Sequence, residues 1–560
     1  MRLRLLRRPA LPAAAVVAVA AVAAAPPIAT AASGPTARLA ARSAGAAAGA
    51  RTAAPPAPPR TLPGDASAAS VRADSRTWIV GARPGATARR LAARFGARRI
   101  GGATSGSYVV RKGRARAFAA ALQGADALVF SEPNRLARMK QGPAQDPLSA
   151  VPYDWRSKVV NPATAPPAVT PQSPLLALID SQLDVTHREF VGGNVATLPT
   201  SPALPAHFHG TATASVAAAP SNGAGILGVW PGMRALNVPL NAEGISCADS
   251  AGGVARALDN GASVINMSYG STEPCYAEYV QLQTAVASGV IPVAAAGNEF
   301  ASGNPLEFPA SLPHVLTVAA TAADDTAAFF SNANAAIDLS APGVDVEAAV
   351  PGGWQAMAGT SFSAPIVSSA VTWVRAARPD LTPDQVAQVV RLSALNLGQK
   401  GWDPVTGFGL LNVDRALSQA APPSDPTEPN DDLIWVNGRA FGKPDRAIWS
   451  RGGARRLKAL LDQYEDPADV YRVVLPRRSA VRVSVTPRFG GTDIAAHTGG
   501  AAAIDERKGR IATSRRKGTR TDRLTLRNRG RRKRSVYVSV TVDRRRGGLD
   551  AGYSLLVRRR

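Results

Sequence analysis

Three textures of apolar and polar positions follow one another along the chain. Between Thr77 and Phe130, short apolar runs alternate with amphipathic ones. Thr77-Trp78-Ile79-Val80, Tyr108-Val109-Val110 and Leu128-Val129-Phe130 read as strands, Thr87 to Phe95 and Phe118 to Leu122 as helices, which together predict a small α+β unit. From about Asp146 to Leu417 the apolar runs lengthen and lose their polar alternation, at Leu175 to Ile179, Leu236 to Pro239, Val264 to Met267, Ile291 to Ala296, Val315 to Ala319 and Ile337 to Leu339. Runs of this kind are buried on both faces, so with helical segments between them they predict a mostly parallel sheet covered by helices on both sides. Pro292 falls within one run and is expected among that strand's first residues. Beyond Asp432 the period becomes two, as in Val470 to Val474, Val481 to Val485 and Val536 to Val540, the mark of an antiparallel β-sandwich. The expected fold class is α/β, preceded by a small α+β unit and followed by the sandwich.

Composition places borders on this picture. At 560 residues the chain is too long for one ordinary domain, and 45% apolar with only 5% aromatic residues means that Ala and Val fill much of the interior. Arg2, Arg4, Arg7 and Arg8 precede an apolar run from Ala10 to Ala25, and Ala29-Thr30-Ala31 offers a small-x-small cleavage site. Residues 1–31 are therefore expected to be a signal peptide, and the protein to be secreted, extracellular or held at the cell surface. The run is rich in Ala and Pro and short for a membrane span of about 20 apolar residues. Residues 32–75, rich in Ala, Pro, Gly and Arg, read as a disordered linker, and 421–432 as a second link ahead of a basic domain over 433–560.

The formal charge of +25 gathers near the C-terminus, at Arg515 to Lys517, Arg531 to Arg534, Arg544 to Arg546 and Arg558 to Arg560. It reads either as a solvated surface or as a site for an anionic cell-envelope polymer. No aromatic residues interleave with the cations, so no nucleic acid is expected. The only two cysteines, Cys247 and Cys275, are expected to form one disulfide in an oxidising compartment, the alternative being two buried thiols.

The sharpest chemical signal is Gly359-Thr360-Ser361-Phe362-Ser363-Ala364-Pro365 ahead of an apolar helix. Small residues let Ser361 sit at a helix mouth, where free amides favour developing negative charge; Pro365 is expected in the first turn. Leu176 to Ile179 leads into Asp180-Ser181, and His209-Gly210-Thr211 opens a helix. With Asp, His and Ser in that order, the chain resembles the subtilase family. The resemblance implies Asp180, His209 and Ser361 as a catalytic triad. Val293-Ala294-Ala295-Ala296-Gly297-Asn298-Glu299 resembles the segment carrying that family's oxyanion-hole asparagine, here Asn298. Val264 to Gly270 resembles the strand that receives substrate, which implies Ser268, Tyr269, Gly270, Ala295 and Gly297 as substrate-binding residues. The uncharged walls at Ser268 to Gly270 and Ala294 to Ala296 weigh against a strict preference for basic residues.

The implied activity is a subtilisin-like serine endopeptidase acting on proteins or peptides through an acyl-enzyme. Residues 76–140 would be its propeptide and inhibitor, with a junction between Arg138 and Asp146, residues 146–420 its catalytic domain, and 433–560 a pre-peptidase-like β-sandwich; the enzyme would be a monomer. No cofactor is required for the chemistry. A structural calcium is implied at Glu189 and Asn222, with the carbonyls of Pro220, Ala224 and Ile226. His187, His207, His314 and His497 lack zinc-site spacing, so no catalytic metal is expected. Two positions depart from the family: Gln182 stands where glycine is usual, which would be strained if the backbone there needs positive φ, and Ala212 where a second histidine is usual. They leave open the alternative of an impaired subtilase scaffold that binds anionic surfaces.

Overall fold

In the computed structural model the described residues are 73–102, 105–140, 154–422, 427–439, 444–462, 466–501, 503–505, 507–516, 518–543 and 550–560. The expected signal peptide, nearly all of the first linker, residues 141–153 and Arg544 to Arg546 lie outside them.

The N-terminal unit comprises β1 (Ala73–Ala82), α1 (Ala86–Phe95), β2 (Arg98–Arg99), β3 (Ser107–Arg111), α2 (Lys112–Gly124) and β4 (Leu128–Met139). Its strands pair antiparallel in the order β4-β1-β3-β2. Val80, Ala88, Tyr108, Phe118 and Leu122 meet in its core. Gly96, at φ 63°, ends α1 in the left-handed conformation, its N–H returning to the Ala92 and Ala93 carbonyls.

The central unit comprises β5 (Leu176–Asp180), β6 (Val195–Thr197), α3 (Phe208–Ala218), β7 (Ala235–Pro239), β8 (Ile245–Ser246), α4 (Cys247–Asp259), β9 (Val264–Met267), β10 (Tyr269–Gly270), α5 (Tyr276–Ala287), β11 (Ile291–Ala295), β12 (Leu316–Thr321), β13 (Leu339–Pro342), β14 (Val346–Val350), β15 (Gly353–Met357), α6 (Thr360–Ala377), α7 (Pro383–Leu392) and α8 (Val413–Ser418). Seven strands form one sheet in the order β13-β12-β11-β9-β5-β7-β6. All their pairings are parallel. Every residue of β5, β7, β9, β11, β12 and β13 is buried, which is why their apolar runs are unbroken. One face packs on α3, α6 and α7, the other on α4 and α5. Pro292 is the second residue of β11. In such sheets ligands gather beyond the carboxyl ends of the strands, and Asp180, Ser268 and Gly297 all stand there.

The strand β4 is four times as long as the apolar run Leu128-Val129-Phe130 that announces it. Its first part pairs with β1, but Leu136 and Ala137 pair with β8, and Arg138 and Met139 with Gly270 and Tyr269 of β10. Those partners lie in the central unit, so no local periodicity marks the extension. Two side chains lock the dock. Glu132 accepts the N–H groups of Tyr276 (2.9 Å) and Ala277 (2.7 Å) at the start of α5, and Asn134 accepts that of Ala248 (2.8 Å) at the start of α4. They satisfy amides that helix starts leave free. Burial pushes the Glu132 carboxyl up to about 7 against the opposing pull of those amides and of Arg135. The starts of the same two helices are joined by the Cys247–Cys275 disulfide, Cα–Cα 5.6 Å.

After the short helix α9 (Leu433–Val436) come β16 (Arg455–Asp462), β17 (Ala468–Leu475), β18 (Ser479–Phe489), β19 (Thr492–Thr498), β20 (Arg510–Ser514), β21 (Asp522–Asn528), β22 (Arg534–Val542) and β23 (Asp550–Arg559). They form two antiparallel sheets, β16-β23-β18-β21 and β17-β22-β19-β20, packed on a shared core of Tyr471, Val483, Val538 and Tyr553 among others. Trp435 of α9 meets Tyr279 of α5 edge-on at 5.2 Å, tying the sandwich to the central unit. Among the described residues no helix is long and apolar enough to cross a membrane.

Candidate active site

Asp180 ends β5 and is fully buried. Its Oδ1 lies 2.6 Å from Nδ1 of His209, the second residue of α3. The same oxygen accepts the Ser181 N–H (2.7 Å), and Oδ2 accepts the Thr213 hydroxyl (3.0 Å), so the carboxylate is held at both oxygens. A carboxylate on Nδ1 calls for the proton there, which leaves Nε2 with its lone pair. His209 Nε2 is buried and has no hydrogen-bond partner among the described residues. Behind it, His207 Nδ1 accepts the His209 N–H and faces Ser181 Oγ at 3.1 Å; burial, and next the neighbouring His209, lower its pKa.

Ser361 is the second residue of α6, after Gly359 at φ 142°. Its hydroxyl is directed at the Lys140 carbonyl and lies 3.1 Å from that of Ser268. Pro365 is the sixth residue of α6, one turn deeper than expected. Having no N–H, it cannot bond the Ser361 carbonyl four residues earlier; the Ser268 hydroxyl takes that place at 2.8 Å.

The Lys140 carbonyl also accepts from Asn298 Nδ2 at 2.8 Å. Asn298 is aimed by Thr360, whose N–H (3.0 Å) and hydroxyl (2.9 Å) both donate to its Oδ1. Thr360 stands within the serine string, and nothing in that string marks it as the residue that aims Asn298. Lys140 N–H donates to the Ser268 carbonyl at 3.1 Å, completing an antiparallel ribbon from Arg138 to Lys140 along β10. Ser268, Tyr269 and Gly270 thus form one wall of a groove and Gly297 borders it beside Glu307, whereas Ala295, at the end of β11, is fully buried in the central core.

The Lys140 side chain enters that groove and is buried. Its ammonium lies 2.8 Å from Glu299 Oε1 and 3.0 Å from Glu307 Oε1. The uncharged wall strings weigh against a strict basic preference, and the two carboxylates at the pocket floor come from beyond those strings. Glu299 follows Asn298 directly and was within reach, whereas Glu307 arrives from a loop that no motif marks. Glycines make the room. A Cβ on Gly270 would sit 2.8 Å from both Glu307 Oε2 and Lys140 Cε, and one on Gly297, at φ 106°, 2.7 Å from Glu307 Cγ.

Gln182 is not among the residues with positive φ, so the anticipated strain is absent. Its side-chain amide donates to the Leu183 carbonyl (3.1 Å) and Thr197 hydroxyl (3.2 Å). Ala212 is fully buried in the core of α3. Glu189 and Asn222 do meet, but through N–H groups: Glu189 Oε1 accepts from Trp354 Nε1 (2.8 Å) and Ile226 N (2.9 Å), and Asn222 turns Nδ2 toward Glu189 and Oδ1 to the Ala224 N–H. Calcium needs six to eight oxygens. A set occupied by N–H donors does not fit it.

Residues 171–409 match the subtilase family (Peptidase_S8). Subtilisin from Bacillus pumilus is 33% identical over 282 residues, covering 48% of this chain and 98% of that protein. The chain belongs to the subtilase family. Subtilisin amylosacchariticus from Bacillus subtilis subsp. amylosacchariticus is likewise 33% identical, over 288 residues, 49% of this chain and 73% of that protein. Fervidolysin from Fervidobacterium pennivorans, a keratinolytic enzyme related to subtilisin, superposes with a TM-score of 0.53 at 16% identity, covering 81% of this chain and 85% of that one, a likeness of fold. This subtilase is accordingly a subtilisin-like serine endopeptidase, with the α/β fold its sequence implied.

Proposed function

We propose that this subtilase is exported through its N-terminal segment, that Asp180, His209 and Ser361 are its triad with Asn298 as oxyanion donor, and that it matures by cutting its own chain after Lys140. One observation carries the reading: the Lys140 carbonyl lies between the Ser361 hydroxyl and the Asn298 amide, on a strand already paired along the groove. Residues 76–140 are then the propeptide, and the unit remains as an inhibitor once cut.

For the reaction, the Ser361 hydroxyl turns to His209 Nε2, gives up its proton there, and its Oγ bonds to the Lys140 carbonyl carbon. Asp180 keeps the ring in the required tautomer and stabilises its charged form. The negative oxygen is received by Asn298 Nδ2–H and the Ser361 backbone N–H, one of the amides that the first turn of α6 leaves without an acceptor. Collapse breaks the bond to residue 141, whose amine takes the proton from His209. Water then repeats the attack on the acyl-serine and frees the Lys140 carboxylate. The test is intact mass of the full chain secreted beside Ser361→Ala, with a serine-directed fluorophosphonate. The expected mature form begins at Gln141 and takes the label, while Ser361→Ala keeps the peptide bond and stays unlabelled. A folded unmutated chain that remained whole and unlabelled would remove the assignment and favour a scaffold that only binds.

The sandwich is the proposed holdfast for an anionic cell-envelope polymer. Arg456, Lys458, Arg482, Arg523, Arg527 and Arg558 share the outer face of the sheet β16-β23-β18-β21 by strand register, opposite the core-facing Val483, Leu524 and Leu555. All but Arg482, which is half-buried, are exposed.

A further inference from the structure

Glu307 is 1% exposed, and among the described residues its carboxylate has only the Lys140 ammonium, 3.0 Å from Oε1, and the neighbouring Glu299 carboxyl as polar side-chain company. The Lys140 ammonium is the only cation paired with it among the described residues, and the second carboxylate, Glu299, is drawn to the same ammonium. A buried carboxylate with no cation of its own is costly, and structural glutamates ordinarily bring an Arg or Lys from the fold. Here the cation arrives on the chain that lies where a substrate lies. When that chain leaves, the two acids remain at the end of a slot whose glycine walls admit a long unbranched stem, and among the described residues of the central unit no cation pairs with them. Burial, the largest influence, has raised Glu307 to about 7 even with Lys140 present, and Glu299 adds to it.

We infer that the pocket selects a cationic side chain, so that the enzyme cuts proteins after lysine or arginine; Glu307 and Glu299 are the specificity-determining residues and Lys140 is the first substrate to satisfy them. The inference rests on the proposed triad, because the side chain that fills the pocket is assigned through the carbonyl at Ser361. An apolar residue there would strand the buried Glu307 carboxylate, whereas Glu299 would keep the Asn298 N–H (2.7 Å) and its contact with solvent; an acidic residue would be repelled by both. Losing one partner of a buried charge pair costs at least about 30-fold in the rate constant for the preferred substrate.

The experiment uses the matured enzyme, its active sites counted by fluorophosphonate, and peptides Leu-Ala-Arg-Met-X with a fluorogenic leaving group, X being Lys, Arg, Leu, Phe or Glu. Expected is a kcat/KM for Lys and Arg at least about 30-fold above that for Leu and Phe, with Glu slowest. In Glu307→Gln and Glu299→Gln the ratio of Lys to Leu falls. Each is also made together with Lys140→Leu, so that maturation does not depend on the altered pocket. A labelled wild-type enzyme that cuts after Leu or Phe as fast as after Lys overturns the inference whether or not the variants fold. An enzyme that takes no label and cuts none of the series removes the triad assignment and this inference together.

Discussion

The clamp formed by Glu132 makes the hold of the N-terminal unit dependent on pH. Inside the docked pair its carboxyl is raised from 4.5 to about 7, burial outweighing the Tyr276 and Ala277 amides and Arg135. Once released into water it returns to its ordinary value, so docking takes up a proton. A group whose value is raised in the bound state contributes fully below its free value and loses that contribution as pH climbs through the bound one. Association is therefore strongest below about pH 4.5, weakens up to tenfold for each step toward pH 7, and levels off above it. Over the whole span this amounts to about 300-fold, or about 3 kcal/mol. The assay is the dissociation constant of the self-cleaved, non-covalent pair between pH 5 and 8, followed by polarisation of a dye on the cleaved segment. Glu307 titrates over the same range and faces Lys140, so the wild-type slope contains both groups. Glu132→Gln isolates the clamp: it retains a carbonyl for one of the two amides and cannot ionise. Across that pH range its profile should be flatter than wild type by nearly two decades, about 70-fold. Parallel profiles would refute the reasoning.

Two further outcomes are expected. Replacing Cys247 and Cys275 together by serine releases a crosslink between residues 28 apart and should cost about 3 to 4 kcal/mol, read as a lower guanidinium midpoint of the mature enzyme. Retention on an anionic cell-wall polymer should weaken steeply between 50 mM and 500 mM salt, and Arg523→Gln with Arg527→Gln should lower both the affinity and its salt slope; binding indifferent to salt would point away from the charged sheet face.

What the sequence disclosed was whatever depends on neighbours along the chain. The central strands were legible because β5 to β13 include runs buried on both faces, and Asp180, His209, Asn298 and Ser361 because each stands in a string shaped by its own strand end or helix start. What it withheld was contact between distant segments. The last third of β4, Leu136-Ala137-Arg138-Met139, carries no alternation, since its residues meet β8 and β10 rather than one continuous face. Glu307 reaches the pocket from a loop whose sequence has no reason to announce a carboxylate's destination. Pro365 reads as a first-turn proline because the hydroxyl that tolerates it one turn deeper belongs to Ser268, 93 residues before Ser361. Glu189 and Asn222 were correctly brought together, but Trp354, far along the chain, supplies the donor that makes the meeting a hydrogen-bonded one.

The double membership of β4 has a consequence in time. A cut after Lys140 severs none of its pairings with β1, β8 or β10 and leaves the Glu132 and Asn134 contacts intact. Under the proposed self-cleavage, cutting and activity would be separate events, and the interval between them would be the residence time of a docked sub-unit. A population of freshly cut molecules would stay silent through a lag and then switch on together, since the first molecule to shed its segment could digest the segments its neighbours release and prevent their return.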